Sequence, residues 1–99
     1  MRPPKLMETT IGSSSSSIEF SNGVEIKFRP SGVNELVEQT DLLVRQDGQE
    51  SFSWFEVVDG PHEEVARDYG DLYRSVRSVE ELKKYPVLGQ VVVEEDDDR

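Results

Sequence analysis

Ser51-Phe52-Ser53-Trp54-Phe55-Glu56-Val57-Val58 is the densest aromatic and β-branched run in the chain, fenced by Asp47-Gly48 before it and Asp59-Gly60 after it. Runs of this composition favour strands, and aspartyl-glycine pairs favour chain reversal. Strict alternation puts Phe52, Trp54 and Val58 on one face and Phe55 and Val57 on the other. A strand apolar on both faces belongs in the interior of a sheet, with other elements laid against it.

Upstream of this run, Val33, Leu36, Val37, Thr40, Leu43 and Val44 recur at i, i+3, i+4, i+7, i+10 and i+11. That is the stripe of an amphipathic helix. Ser31 is placed to cap it, and Asp41 and Arg45 are spaced for an i,i+4 ion pair. The same residues admit a second reading, a strand from Leu42 to Gln46 that returns as a hairpin into Ser51.

Further upstream, Val24, Ile26 and Phe28 alternate with Glu25, Lys27 and Arg29, the pattern of a strand with one dry face. Ile18 and Phe20 continue it across Ser21-Asn22-Gly23. A two-residue loop would oppose Phe20 to Glu25. A three-residue loop instead pairs Phe20 with Val24 and Ile18 with Ile26, with Gly23 in the left-handed region. The three-residue loop is expected, and it sets Glu19 opposite Glu25. Residues 1–17, with Pro3-Pro4 and the serine run Ser13 to Ser17, read as a flexible tail.

Downstream, Asp59-Gly60-Pro61 resembles a helix start, and Glu63 and Glu64 follow where the helix dipole favours acids. Val65, Tyr69, Leu72, Tyr73 and Val76 share one face. Gly70 weakens this helix and could bend or split it. Ser78-Val79-Glu80-Glu81 matches a capping box that restarts a short helix, closed by Pro86. Val87 to Glu94 reads as a last strand, and residues 95–99 as an acidic tail.

The predicted fold class is therefore α+β: a single small domain over 18–94, ordered as hairpin, helix, strand, helix with a short helix, and strand. From Ile18 to Val58 this element order resembles the opening of the β-grasp, or ubiquitin-like, architecture. The Gly-Gly pair that conjugation needs is absent from the sequence, so the resemblance implies nothing about tagging.

The chain has 99 residues, 34% hydrophobic and 32% charged, with a net charge of −10. Residues 50–99 carry 14 acids and 6 bases, against 7 and 5 in residues 1–49. Such a surface repels phosphate, so direct nucleic-acid binding is not expected. A protein partner with a basic surface is the natural complement, and the plain alternative is acidity that serves only solubility or salt adaptation. No cysteine is present, which fits a reducing cytoplasm. No segment has the length and apolarity of a membrane span.

The chemical inventory is thin. His62, the one histidine, reads as a surface residue without metal-ligand spacing around it. The serines lack a nucleophile-elbow pattern, and the glycines sit at turns rather than in a phosphate cradle. No enzyme, cofactor or metal is expected. Glu63, Glu64, Asp68 and Asp71 form an acidic cluster, of which Glu64, Asp68 and Asp71 share one helical face; Arg67 lies four residues from both Glu63 and Asp71 and makes a salt-bridged exposed face the simpler reading. Trp54 is either core or, if a helix covers only the Phe55 face, part of an exposed patch with Phe52 that marks an interface. The expected function is a non-catalytic interaction module docking on a basic surface through Glu63, Glu64, Asp68, Asp71 and Trp54. Its sharpest form is an inhibitor imitating nucleic-acid charge. The alternative is a small accessory subunit joined through a sheet edge or an apolar patch.

Overall fold

A computed structural model describes residues 3–32 and 36–91 of the protein. Five strands come first: β1 (Leu6–Ile11), β2 (Ser16–Phe20), β3 (Glu25–Pro30), β4 (Gln39–Arg45) and β5 (Ser53–Asp59). Three helices follow, α1 (His62–Ser75), α2 (Val79–Leu82) and α3 (Pro86–Val91). The sheet is an antiparallel meander in chain order, β1-β2-β3-β4-β5. The α+β class holds, but the β-grasp order does not. β3 pairs directly with β4, from Glu25↔Arg45 to Pro30↔Thr40, and among the described residues no helix lies between them.

The β2–β3 hairpin has the expected register, with Ile18 opposite Ile26 and Glu19 opposite Glu25. The Phe20 amide donates to the Val24 carbonyl at 2.9 Å, and Gly23 has φ of +91°. Arg45, across from Glu25 on β4, forms an ion pair with it and offsets the Glu19–Glu25 repulsion.

Where the structure departs from the sequence expectations, the cause is β pairing. The stretch expected as a flexible tail contains a strand, because Leu6–Ile11 pairs along β2 and the Ser21 amide donates to the Lys5 carbonyl at 2.8 Å, while residues 1–2 lie outside the described residues. β1 shows no clean alternation because a bulge between Leu6 and Glu8 leaves Met7 unpaired and 64% exposed. The helix predicted from Val33 is replaced by β4, the second of the two readings, begun earlier; residues 33–35 lie outside the described residues. Asp41 and Arg45 do not pair with each other. They reach across the ladder, Asp41 to Arg29 at 3.6 Å and Arg45 to Glu25. Ser31 caps no helix; its amide donates to the Gln39 carbonyl at 2.9 Å and extends the β3–β4 ladder.

β5 is an edge strand and not an interior one. The predicted strand from Val87 is instead helix α3 over residues 86–91, while residues 92–99, including the acidic tail, lie outside the described residues. Pro at the first position of α3 suits a helix start. Val87 and Leu88 are buried there against Leu82 and the sheet.

One face of the sheet carries the core. Ile18, Phe20, Ile26, Phe28, Leu42 and Val44 meet Val65, Ala66 and Tyr73 from α1 and Val76 just after it. Tyr73 packs edge-on against Phe20 at 4.8 Å between ring centres, and Tyr69 against Phe28 at 5.7 Å. α1 runs without interruption through Gly70. The α2 cap forms as half of a capping box. The Glu81 amide donates to Ser78 Oγ at 3.1 Å, but the Glu81 carboxylate accepts from the Arg77 amide rather than from Ser78. Among the described residues no helix covers the opposite face of the sheet.

Candidate functional site

That helix-free face is where Trp54 lies, and a bulge puts it there. β4 and β5 pair as Asp41↔Val57 and Leu42↔Glu56, then as Leu43↔Trp54, so Phe55 is the extra residue. The insertion reverses the parity on either side of it. Trp54 and Val57 therefore share the outer face, 59% and 40% exposed, while Phe55 and Val58 pack against the core.

Trp54 is held rather than loose. Its Nε1 donates to Asp41 Oδ1 at 3.2 Å, and Asp41 Oδ2 lies 3.6 Å from Arg29 Nε. Asp41 is itself only 8% exposed, so this carboxylate is fixed by two partners beneath the indole. Beside it, Leu43 is buried on the same outer side. Phe52 lies under two cations, with Lys27 Nζ 5.7 Å and Arg45 Cζ 4.9 Å from its ring centre. In a chain of net charge −10, this face combines Lys27, Arg29 and Arg45 with Trp54, Phe52 and Val57. Glu25 and Asp41 within it are already paired.

The acidic residues of α1 stand elsewhere. Glu64 and Asp68 are exposed one helical turn apart, and Asp71 is exposed and paired with Arg74 at 3.1 Å. Glu63 is partly exposed, with Oε1 3.9 Å from His62 Nε2. Among the described residues Arg67 pairs with neither Glu63 nor Asp71. α1 packs on the side of the sheet away from Trp54. The five predicted residues thus divide into two separate surfaces.

His62 is not a surface residue. It is 6% exposed, and its Nδ1 shares a 2.8 Å hydrogen bond with the hydroxyl of Ser16, itself 2% exposed. The pair ties β2 to the first residue of α1 across 46 positions of sequence, a contact without a local sequence signal. Serine, histidine and the nearby Glu63 carboxylate have the composition of a nucleophile relay, but a nucleophile has to meet its substrate, and Ser16 is sealed in the core. The bond satisfies two buried polar groups.

Sequence reasoning also missed a small cavity between β5, α1 and the C-terminal helices. It measures about 170 Å³ and is lined by Glu56, Tyr69, Leu72, Tyr85, Val87 and Leu88. Burial, and secondarily the Glu56 carboxylate, raises the Tyr69 phenol above its usual value. Among the described residues no group of three or more His, Cys, Asp or Glu is placed to hold a metal ion. No described helix is long and apolar enough to cross a membrane. Compared with family models, curated proteins and solved structures, the chain matches none.

Proposed function

We propose that the protein is a non-catalytic interaction module, a small accessory subunit that binds a protein partner through the helix-free face of its sheet. The single observation that carries this reading is Trp54, 59% exposed yet hydrogen-bonded to a buried carboxylate. A large apolar side chain already fixed in one orientation loses little freedom on binding. Trp and Arg are the residues that most often dominate interface energetics, and here Arg29 and Arg45 flank apolar Phe52, Trp54 and Val57. The cysteine-free chain suits a reducing compartment, and we place it in the cytoplasm. Capture of the partner from the native source, repeated at low and high salt, tests the reading. Apolar association persists at high salt, and Trp54→Ala weakens it by about 2 kcal/mol or more. Equal capture by wild type and variant contradicts it.

A second reading rests on Glu64 and Asp68, exposed and without an ion pair among the described residues. In it the acidic α1 docks on a basic surface, in its sharpest form as a mimic of nucleic-acid charge. Reversing Glu64 and Asp68 to Lys then slows association and flattens its salt dependence, while folding changes by about 1 kcal/mol or less. Reversal of the exposed Glu38, outside α1, is the control. An unchanged on-rate in the double variant leaves the acids a solvated face.

A further inference from the structure

Glu56 occupies an inward position of the sheet. Its partner across the ladder is Leu42, fully buried in the core, so the bulge that turns Trp54 outward turns this carboxylate toward the helices. It is half-buried, and among the described residues no hydrogen bond or ion pair reaches it. Lys83 and Lys84, which precede Tyr85 in sequence, are exposed and do not pair with it. The Glu56 carboxylate is therefore free to receive a cation.

The cavity it faces has apolar walls, Leu72, Val87 and Leu88, and two phenols, Tyr69 and Tyr85. At about 170 Å³ it is smaller than the roughly 300 Å³ or more of a drug-sized site, and it suits one long side chain. A divalent ion would want about six oxygen ligands, which one carboxylate and an apolar wall do not supply. A planar, weakly hydrated cation on an alkyl stem satisfies every part of the lining. The stem lies along Leu72 and Val87, the fork meets the carboxylate with two parallel N–H bonds, and its plane stacks on a tyrosine.

We infer that this cavity binds the guanidinium side chain of an arginine presented by a partner protein, with Glu56 as its counter-ion. The Tyr69 phenol, kept protonated by burial, remains neutral and accepts a further N–H. The site goes beyond the Trp54 surface and does not rest on it.

The test is an NMR titration of the full chain with Nα-acetyl-arginine methylamide, with the lysine and norleucine analogues as parallel arms. The arginine compound produces saturable shifts at Tyr69, Leu72 and Tyr85 and binds several-fold tighter than the lysine compound, and norleucine produces none. Glu56→Gln lowers arginine affinity by about tenfold or more while the spectrum stays dispersed. Should that variant lose its fold, Glu56→Asp carries the comparison, since it keeps the charge and shortens the reach. An equal response to lysine or norleucine, an unchanged affinity in the Glu56 variant, or no response to arginine overturns the assignment. Trp54→Ala leaves this titration unchanged, so failure here and failure of the Trp54 reading are separate results.

Discussion

At Gly23 a single residue decides a register. Its φ of +91° is open to glycine and strained for other residues, and an added Cβ would come within 2.5 Å of Asp47 Cβ. Gly23→Val is expected to cost more than about 1 kcal/mol in urea denaturation; a neutral substitution would contradict this account of the hairpin. This turn was legible because only a three-residue loop keeps Ile18 and Phe20 beside Val24 and Ile26. The facing of Trp54 was not, because simple alternation holds only while the ladder has no extra residue, and nothing in Ser53-Trp54-Phe55-Glu56 announces the bulge. Tyr73 gives a second residue-level expectation. It is 5% exposed, its hydroxyl donates to the Pro4 carbonyl, and burial raises its pKa to about 12 from 10.0. The folded state therefore keeps a proton that the unfolded chain releases. The stability tied to it is full below pH 10.0 and is lost as pH climbs toward about 12. Tyr69, shifted upward too, acts in the same sense. Stability measured across this alkaline range should fall, and less steeply in Tyr73→Phe; equal slopes would contradict the assignment.

Among the elements, β4 shows most clearly how a pattern misleads. Its five consecutive buried residues, Thr40 to Val44, are covered on both faces, as befits a strand with β3 and β5 on either side and α1 on the core face. A two-sided strand has no period of its own. The helical spacing of Val33, Leu36, Val37, Thr40, Leu43 and Val44 was therefore a coincidence of an apolar run. The two accounts differ in one pair of variants. Leu36 is 94% exposed and Leu42 fully buried, so Leu36→Ser should change stability by about 0.5 kcal/mol or less and Leu42→Ala should cost about 2–5 kcal/mol. A large loss at Leu36 would restore the helix. β1 and α3 were misread for related reasons. The apolar residues of β1 are sparse and interrupted at Met7, and short apolar runs such as Val87-Leu88 do not distinguish strand from helix by periodicity. α1 was legible because its fourteen residues display one continuous apolar face.

For the molecule as a whole, the antiparallel meander places all its helices on one side and leaves the other open among the described residues. Charge is mixed on both sides: α1 carries the exposed acids Glu64, Asp68 and Asp71 beside Arg67 and Arg74, and on the open face three basic side chains surround the aromatic residues while exposed Glu8 and Glu19 stand on β1 and β2. Of the candidate residues, the acids of α1 were legible from helical spacing and Trp54 from composition. Their separation onto two surfaces needed the fold, since only the sheet's pairing says which side each residue takes. Trp54 is the chain's one tryptophan, so its fluorescence reports on the open face alone. The decisive measurement is acrylamide quenching of that emission in the free protein and in complex with the captured partner. An emission typical of exposed indole is expected, readily quenched when free and shielded in the complex. A blue-shifted, quencher-resistant signal in the free protein, or quenching unchanged by the partner, would contradict it.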